Sequence, residues 1–109
     1  MAYDEQLAGR VRHVLDGLPE VVEKKMFGGL CFMVAGHMCC GIVDTRLMAR
    51  VGPEAYEDAL KDPHARPMDF TGKPMKGMIY VQPDGTADTT ALEAWVNRCL
   101  SFSLSLPPK

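Results

Sequence analysis

At 109 residues the chain has the length of one domain, 1–109, and can bury a core without metal or disulfide staples. Its 47% hydrophobic and 24% charged residues exclude wholesale disorder. Twelve basic against fourteen acidic residues leave a formal charge of -2, which excludes a global field drawing the chain to nucleic acid or anionic lipid.

Taken in chain order, Asp4 caps a first helix, with Leu7, Val11, Val14, Leu15 and Leu18 at helical spacing. Gly17 and Pro19 end it. From Val21 the period changes. "VVEKKMF", "LCFMVA", "MCCGIVD" and "RLMARV" are four short strands, separated by Gly28-Gly29, Ala35-Gly36-His37 and Asp44-Thr45. Their short connections imply an antiparallel meander.

Gly52-Pro53 opens a second helix, "PEAYEDALKD", closed by Asp62-Pro63. "RPMDF" and "PMKGMIYV" are the arms of a β-hairpin around a Thr71-Gly72-Lys73 turn. Pro67 and Pro74 cannot donate to a ladder and belong at strand ends or an edge. In the second arm Gly77, Ile79 and Val81 share one face, and Lys76, Met78 and Tyr80 the other. Pro83-Asp84-Gly85 makes a turn. Thr90 and Glu93 form a capping box for the last helix, whose inner side is Leu92, Trp95, Val96, Cys99, Leu100 and Ser103. "SLPPK" reads as a frayed end. The expected fold is α+β, in the order α-β(4)-α-β(2)-α, with helices mainly on one face of an antiparallel sheet.

No run of residues approaches the ~20 apolar positions that span a bilayer, and the start lacks a signal-peptide apolar block. With four Cys and eight Met, both readily oxidised, a cytoplasmic location is expected.

Chemistry-bearing motifs are sparse. Cys39-Cys40 are strand neighbours, so the spacing places them on opposite faces and rules out joint chelation of one ion. No metal site and no cofactor are expected. No two His have i, i+4 spacing. His64 with Arg66 and Asp69 is the one polar cluster that an enzyme reading could use, and a solvated loop is the stronger reading. Ser101, Ser103 and Ser105 all sit in the last helix, and none is at a nucleophile elbow. Gly28-Gly29 and Gly72 match no phosphate-loop pattern.

Two surfaces stand out. The hairpin carries Arg66, Asp69, Lys73 and Lys76, whose basic residues could contact phosphate. Met33, Met48 and Met78 fall on strands and suit a soft contact face, whether for a partner protein or for a second copy in a homodimer.

The blocks "KKMFGGLCFMVAGHMCCGI", "LMARVGPEAYEDAL", "HARPMDFTGKPMKGMIYV" and "LEAWVNRCLSFSLSLPPK" resemble the N-terminal domain of the TfoX/Sxy family. The resemblance runs from about Leu7 to Lys109. It implies an α+β antiparallel fold similar to secretion-chaperone-like domains. It also implies kinship with bacterial regulators of competence for DNA uptake, without the C-terminal domain that founding members carry. It carries over no catalytic set. The expected function is therefore a non-enzymatic, regulatory protein-interaction domain acting through the sheet face or the 65–78 hairpin. Nucleic-acid binding by the basic hairpin is the alternative, and an enzyme the third reading.

Overall fold

The computed structural model describes residues 3–18, 20–26, 28–69 and 74–107, with backbone only at 26, 69 and 74–76. Asp4 acts as the expected N-cap: its Oδ1 accepts from the amides of Gln6 (2.9 Å) and Leu7 (3.3 Å). Helix α1 then runs Glu5–Leu15 and buries Leu7, Ala8, Val11 and Leu15.

Four strands follow: β1 (Val21–Met26), β2 (Gly29–Val34), β3 (His37–Val43) and β4 (Arg46–Arg50). Ala35 and Gly36 join β2 to β3 with φ of 51° and 84°. A two-residue hairpin turn of the type that follows strand twist needs positive φ at both positions. After α2 (Tyr56–Ala59) come β5 (Ala65–Asp69), β6 (Pro74–Val81), a 3-10 turn (Pro83–Gly85) and α3 (Thr89–Ser105).

The strands form one six-stranded antiparallel sheet in the order β1-β2-β3-β4-β6-β5. The α+β class and the sequence of elements are as the residue pattern implies. Strand β6 inserts beside β4 and leaves β5, with Pro67, at the edge. That placement suits a residue without an amide donor. The junction needs close backbone contact: the Gly77 carbonyl accepts from the amides of Val51 (2.9 Å) and Gly52 (3.2 Å). Gly77 has φ of 95°, and a Cβ there would lie 3.1 Å from Gly52 C and Pro53 N.

All three helices contribute to a single core on one face of the sheet. Leu7, Val11, Ala59, Leu92, Trp95 and Val96 meet Phe32, Ile42, Leu47, Ile79 and Val81 there. Fully burying each large apolar side chain contributes about 1.5–3 kcal/mol.

Three local expectations are corrected. The second helix has only four residues rather than ten, because Ala55 stands at its N-cap and offers no side-chain acceptor. The last helix starts at Thr89 and is capped by Asp88, whose Oδ2 accepts from Ala91 N at 3.2 Å. Thr90 and Glu93 lie inside the helix rather than forming its cap. Finally, of the expected frayed end "SLPPK", Pro107 is held, its carbonyl pairing with Nε2 of His37; residues 108–109 lie outside the described residues. His37, at the start of β3, is accordingly buried.

Candidate interaction surface

Side chains alternate along each strand, so the face away from the helices collects the other half of the pattern. It holds a second cluster of Cys31, Met38, Met48, Met68, Met78 and Tyr80, with Met33 and Val43 packed partly against it. No helical residue belongs to this cluster. The register aligns Lys24, Cys31, Gly41, Met48, Tyr80 and Arg66 in one row across all six strands. Gly41 leaves the room that Met48 takes, since a Cβ there would lie 2.6 Å from Met48 Cε.

Met48 is fully buried and Met78 is 6% exposed, so they form the interior of this face rather than its surface. Met33 is half-buried. Beside it on β1, paired in register, is Val22, which is 51% exposed. Arg66 is exposed on β5, and its guanidinium donates to the carbonyls of Pro63 and Ala65, both at 2.8 Å. Lys73 lies outside the described residues, as do the side chains of Asp69 and Lys76. Val22 was not singled out: the edge position of β1, and hence its exposure, depends on strand order that local sequence does not carry.

Among the described residues, the charge on this face is basic. Lys24, Arg46 and Arg66 project from it, together with the end residue Arg50. Arg46 lies 4.0 Å over the centre of the Tyr80 ring and 3.6 Å from Asp44 in the adjoining turn. Cation and ring attract through the ring's quadrupole. Tyr80 is thereby capped and only 9% exposed. Arg50 turns to the Met38 carbonyl and to the Phe102 ring at 5.2 Å.

Of the His64–Arg66–Asp69 cluster, His64 and Arg66 do not share a described cavity, and the Asp69 side chain lies outside the described residues. His64 lines a groove of about 320 Å³ with Asp62, Asp84, Trp95 and Arg98, and Arg66 is not among its walls. A second groove, of about 690 Å³, runs between residues 51–55 and the outer side of α3. Arg98 borders both but is already engaged by Asp58 (3.7 Å) and the Trp95 ring (5.1 Å). Among the described residues, no three His, Cys, Asp or Glu side chains are arranged to hold a metal ion. No described helix is long and apolar enough to cross a membrane.

The adjacent cysteines need a correction. The register steps from Phe32–Cys40 to Met33–Met38 and leaves Cys39 without a partner on β2. This bulge turns Cys39 to the same side as Cys40, and both join the helix-side core. Strict alternation had put them on opposite faces.

These surfaces and this topology define a small α+β domain with one antiparallel sheet, helices on one side and methionines on the other. The chain belongs to the TfoX N-terminal domain family, whose model matches residues 13–103. No curated protein and no solved structure matches it.

Proposed function

We propose that this domain is a non-enzymatic, competence-regulator-like module that binds a partner protein with the methionine face of its sheet. The carrying observation is the accessible edge of that face: exposed Val22 and half-buried Met33 beside a buried core of soft side chains, with Lys24, Arg46 and Arg66 as the basic residues around it. Methionine adapts to a partner's shape, and a border of one sign selects a segment that combines apolar and carboxylate side chains. At its β1 edge Val22 and Lys24 are exposed and Met33 is half-buried. Membership of the TfoX N-terminal domain family supports the regulatory class.

Nucleic acid is the rival occupant. A sheet that binds single strands offers open aromatic faces for stacking bases. Here Tyr80 is covered by Arg46, which supports the protein reading. Fluorescence anisotropy with labelled single- and double-stranded DNA, at low and physiological salt, tests it. The expected result is no saturable binding at low salt. Salt-sensitive binding that Lys24→Glu/Arg66→Glu abolishes would replace the protein reading with the nucleic-acid one.

A further inference from the structure

The two edges of the sheet are finished differently. At β5 the His64 carbonyl accepts from the Gln82 amide at 2.8 Å, so it points toward the β6 side. Backbone groups alternate in direction along a strand, which turns those of Ala65 and Pro67 to the open side. There the Ala65 amide donates to the Asp62 carbonyl at 3.1 Å and the Ala65 carbonyl accepts from Arg66 at 2.8 Å. Pro67 has no N–H to offer. A register shift between Pro67 and Asp69 then interrupts the ladder. Proline, a bulge and a covering cation all keep a sheet edge from taking up another strand.

Strand β1, VVEKKM, has no proline and pairs with β2 through six residues in unbroken register. The Glu20 carbonyl accepts from the Ala35 amide at 3.3 Å, so it points toward β2. The trans peptide turns the Val21 amide the opposite way. Alternation then presents the backbone groups of Val21, Glu23 and Lys25 at the open edge. The register divides the side chains. Val22 and Lys24 stand beside Met33 and Cys31 on the methionine side, and Val21, Glu23 and Lys25 beside Val34, Phe32 and Leu30 on the helix side. Glu23 is matched by Arg12 at 2.7 Å. Lys24 and Lys25, both exposed, are therefore the charges that an incoming strand meets, next to exposed Val22.

A second copy of β1 fits this edge poorly. Two-fold pairing centred on Lys24 or Lys25 sets lysine against lysine, and centred on Glu23 it sets glutamate against glutamate. Like charges directly opposite destabilise a pair. Centred on Val22, the pairing runs off the strand at Glu20, whose φ is 61°.

We propose, building on the protein-binding reading above, that the partner presents an extended acidic segment that pairs antiparallel with β1 as a seventh strand. It bonds to the backbone of Val21, Glu23 and Lys25. It sets an apolar residue opposite Val22 and carboxylates opposite Lys24 and Lys25. In strand addition the main-chain bonds give affinity and the alternate side chains give specificity.

The test titrates the isotope-labelled full chain with a capped synthetic peptide, TEETVT, whose antiparallel register meets these positions, and follows amide shifts and hydrogen exchange by NMR. The expected result is saturable shifts centred on β1, with exchange of the Val21, Glu23 and Lys25 amides slowed several-fold. N-methylation of the threonine opposite Glu23 removes a ladder bond and weakens binding several-fold. Lys24→Glu/Lys25→Glu loses TEETVT and gains TKKTVT. No saturable shift at millimolar peptide would overturn the proposal. So would equal binding of the N-methylated peptide, which would leave a contact of charges alone. Broadening of the same amides with protein concentration and no peptide would give the edge to a second copy, and overturn it too. Peptide failure beside a protein still captured through Val22 and Met33 overturns the added strand alone, whereas loss of that capture overturns the protein reading itself.

Discussion

Lys24 and Arg66 stand at the two ends of one cross-strand row, with Cys31, Gly41, Met48 and Tyr80 between them. Five strand spacings separate them, about 24 Å. The row places a cation on each edge strand and soft side chains in the middle. The chain's net charge of -2 conceals this local arrangement.

Met48 and Met33 belong to the same face but have different burdens. Met48 is fully buried across from Tyr80, so Met48→Ala removes core volume and is predicted to cost about 2–5 kcal/mol. Met33 is half-buried, and Met33→Ala is predicted to cost well under half of that. Urea denaturation of the two variants checks the difference. Equal losses would mean that the face is not organised around Met48.

The last helix supplies a second stability test. Asp88 caps it through the Ala91 amide, so Asp88→Ala is predicted to lose about 1 kcal/mol. Thr90→Ala and Glu93→Ala, exposed inside the helix, should stay within about 0.5 kcal/mol of the parent. Thermal melts of the three variants separate the Asp88 cap from a Thr90–Glu93 box.

The Asp88 result bears on what local sequence can convey. Caps, turn residues and strand alternation are short-range, so α1, the four-strand meander and the 65–81 hairpin were legible. A bulge is not: one unpaired residue at Cys39 reverses the facing of its neighbours, and nothing in "MCCGIVD" announces it. The pairing of His37 with the Pro107 carbonyl spans 70 positions and depends on where α3 ends. The methionine face was legible as a pattern. Its depth was not, because burial of Met48 and Met78 depends on neighbouring strands and on Arg46 lying over Tyr80.

Arg12 on α1 grips Glu23 on β1 with two hydrogen bonds, of 2.7 and 2.8 Å. The hydrogen bond from Arg12 is the largest cause holding Glu23 below the ordinary value of 4.5. A carboxylate depressed in the folded state stabilises above its unfolded value, and loses that contribution as pH falls through the folded one. The side chains are 47% and 37% exposed, so solvent screening limits the pair to about 1 kcal/mol at most. Urea midpoints should therefore place Glu23→Gln slightly below the parent at neutral pH, with the two converging in acid. A gap that persists unchanged in acid would show that the carboxylate's charge is not its source.

The binding claim is tested most directly by comparative affinity capture with quantitative mass spectrometry. Immobilised parent chain, Val22→Glu/Met33→Glu, and Arg98→Ala as a helix-side control would be exposed to the same bacterial extract, after circular dichroism confirms equal folding. The predicted result is a protein retained by the parent and the control, lost from the Val22/Met33 variant, and released by salt. Equal retention by all three chains, or loss only in the Arg98 variant, would contradict binding through the methionine face.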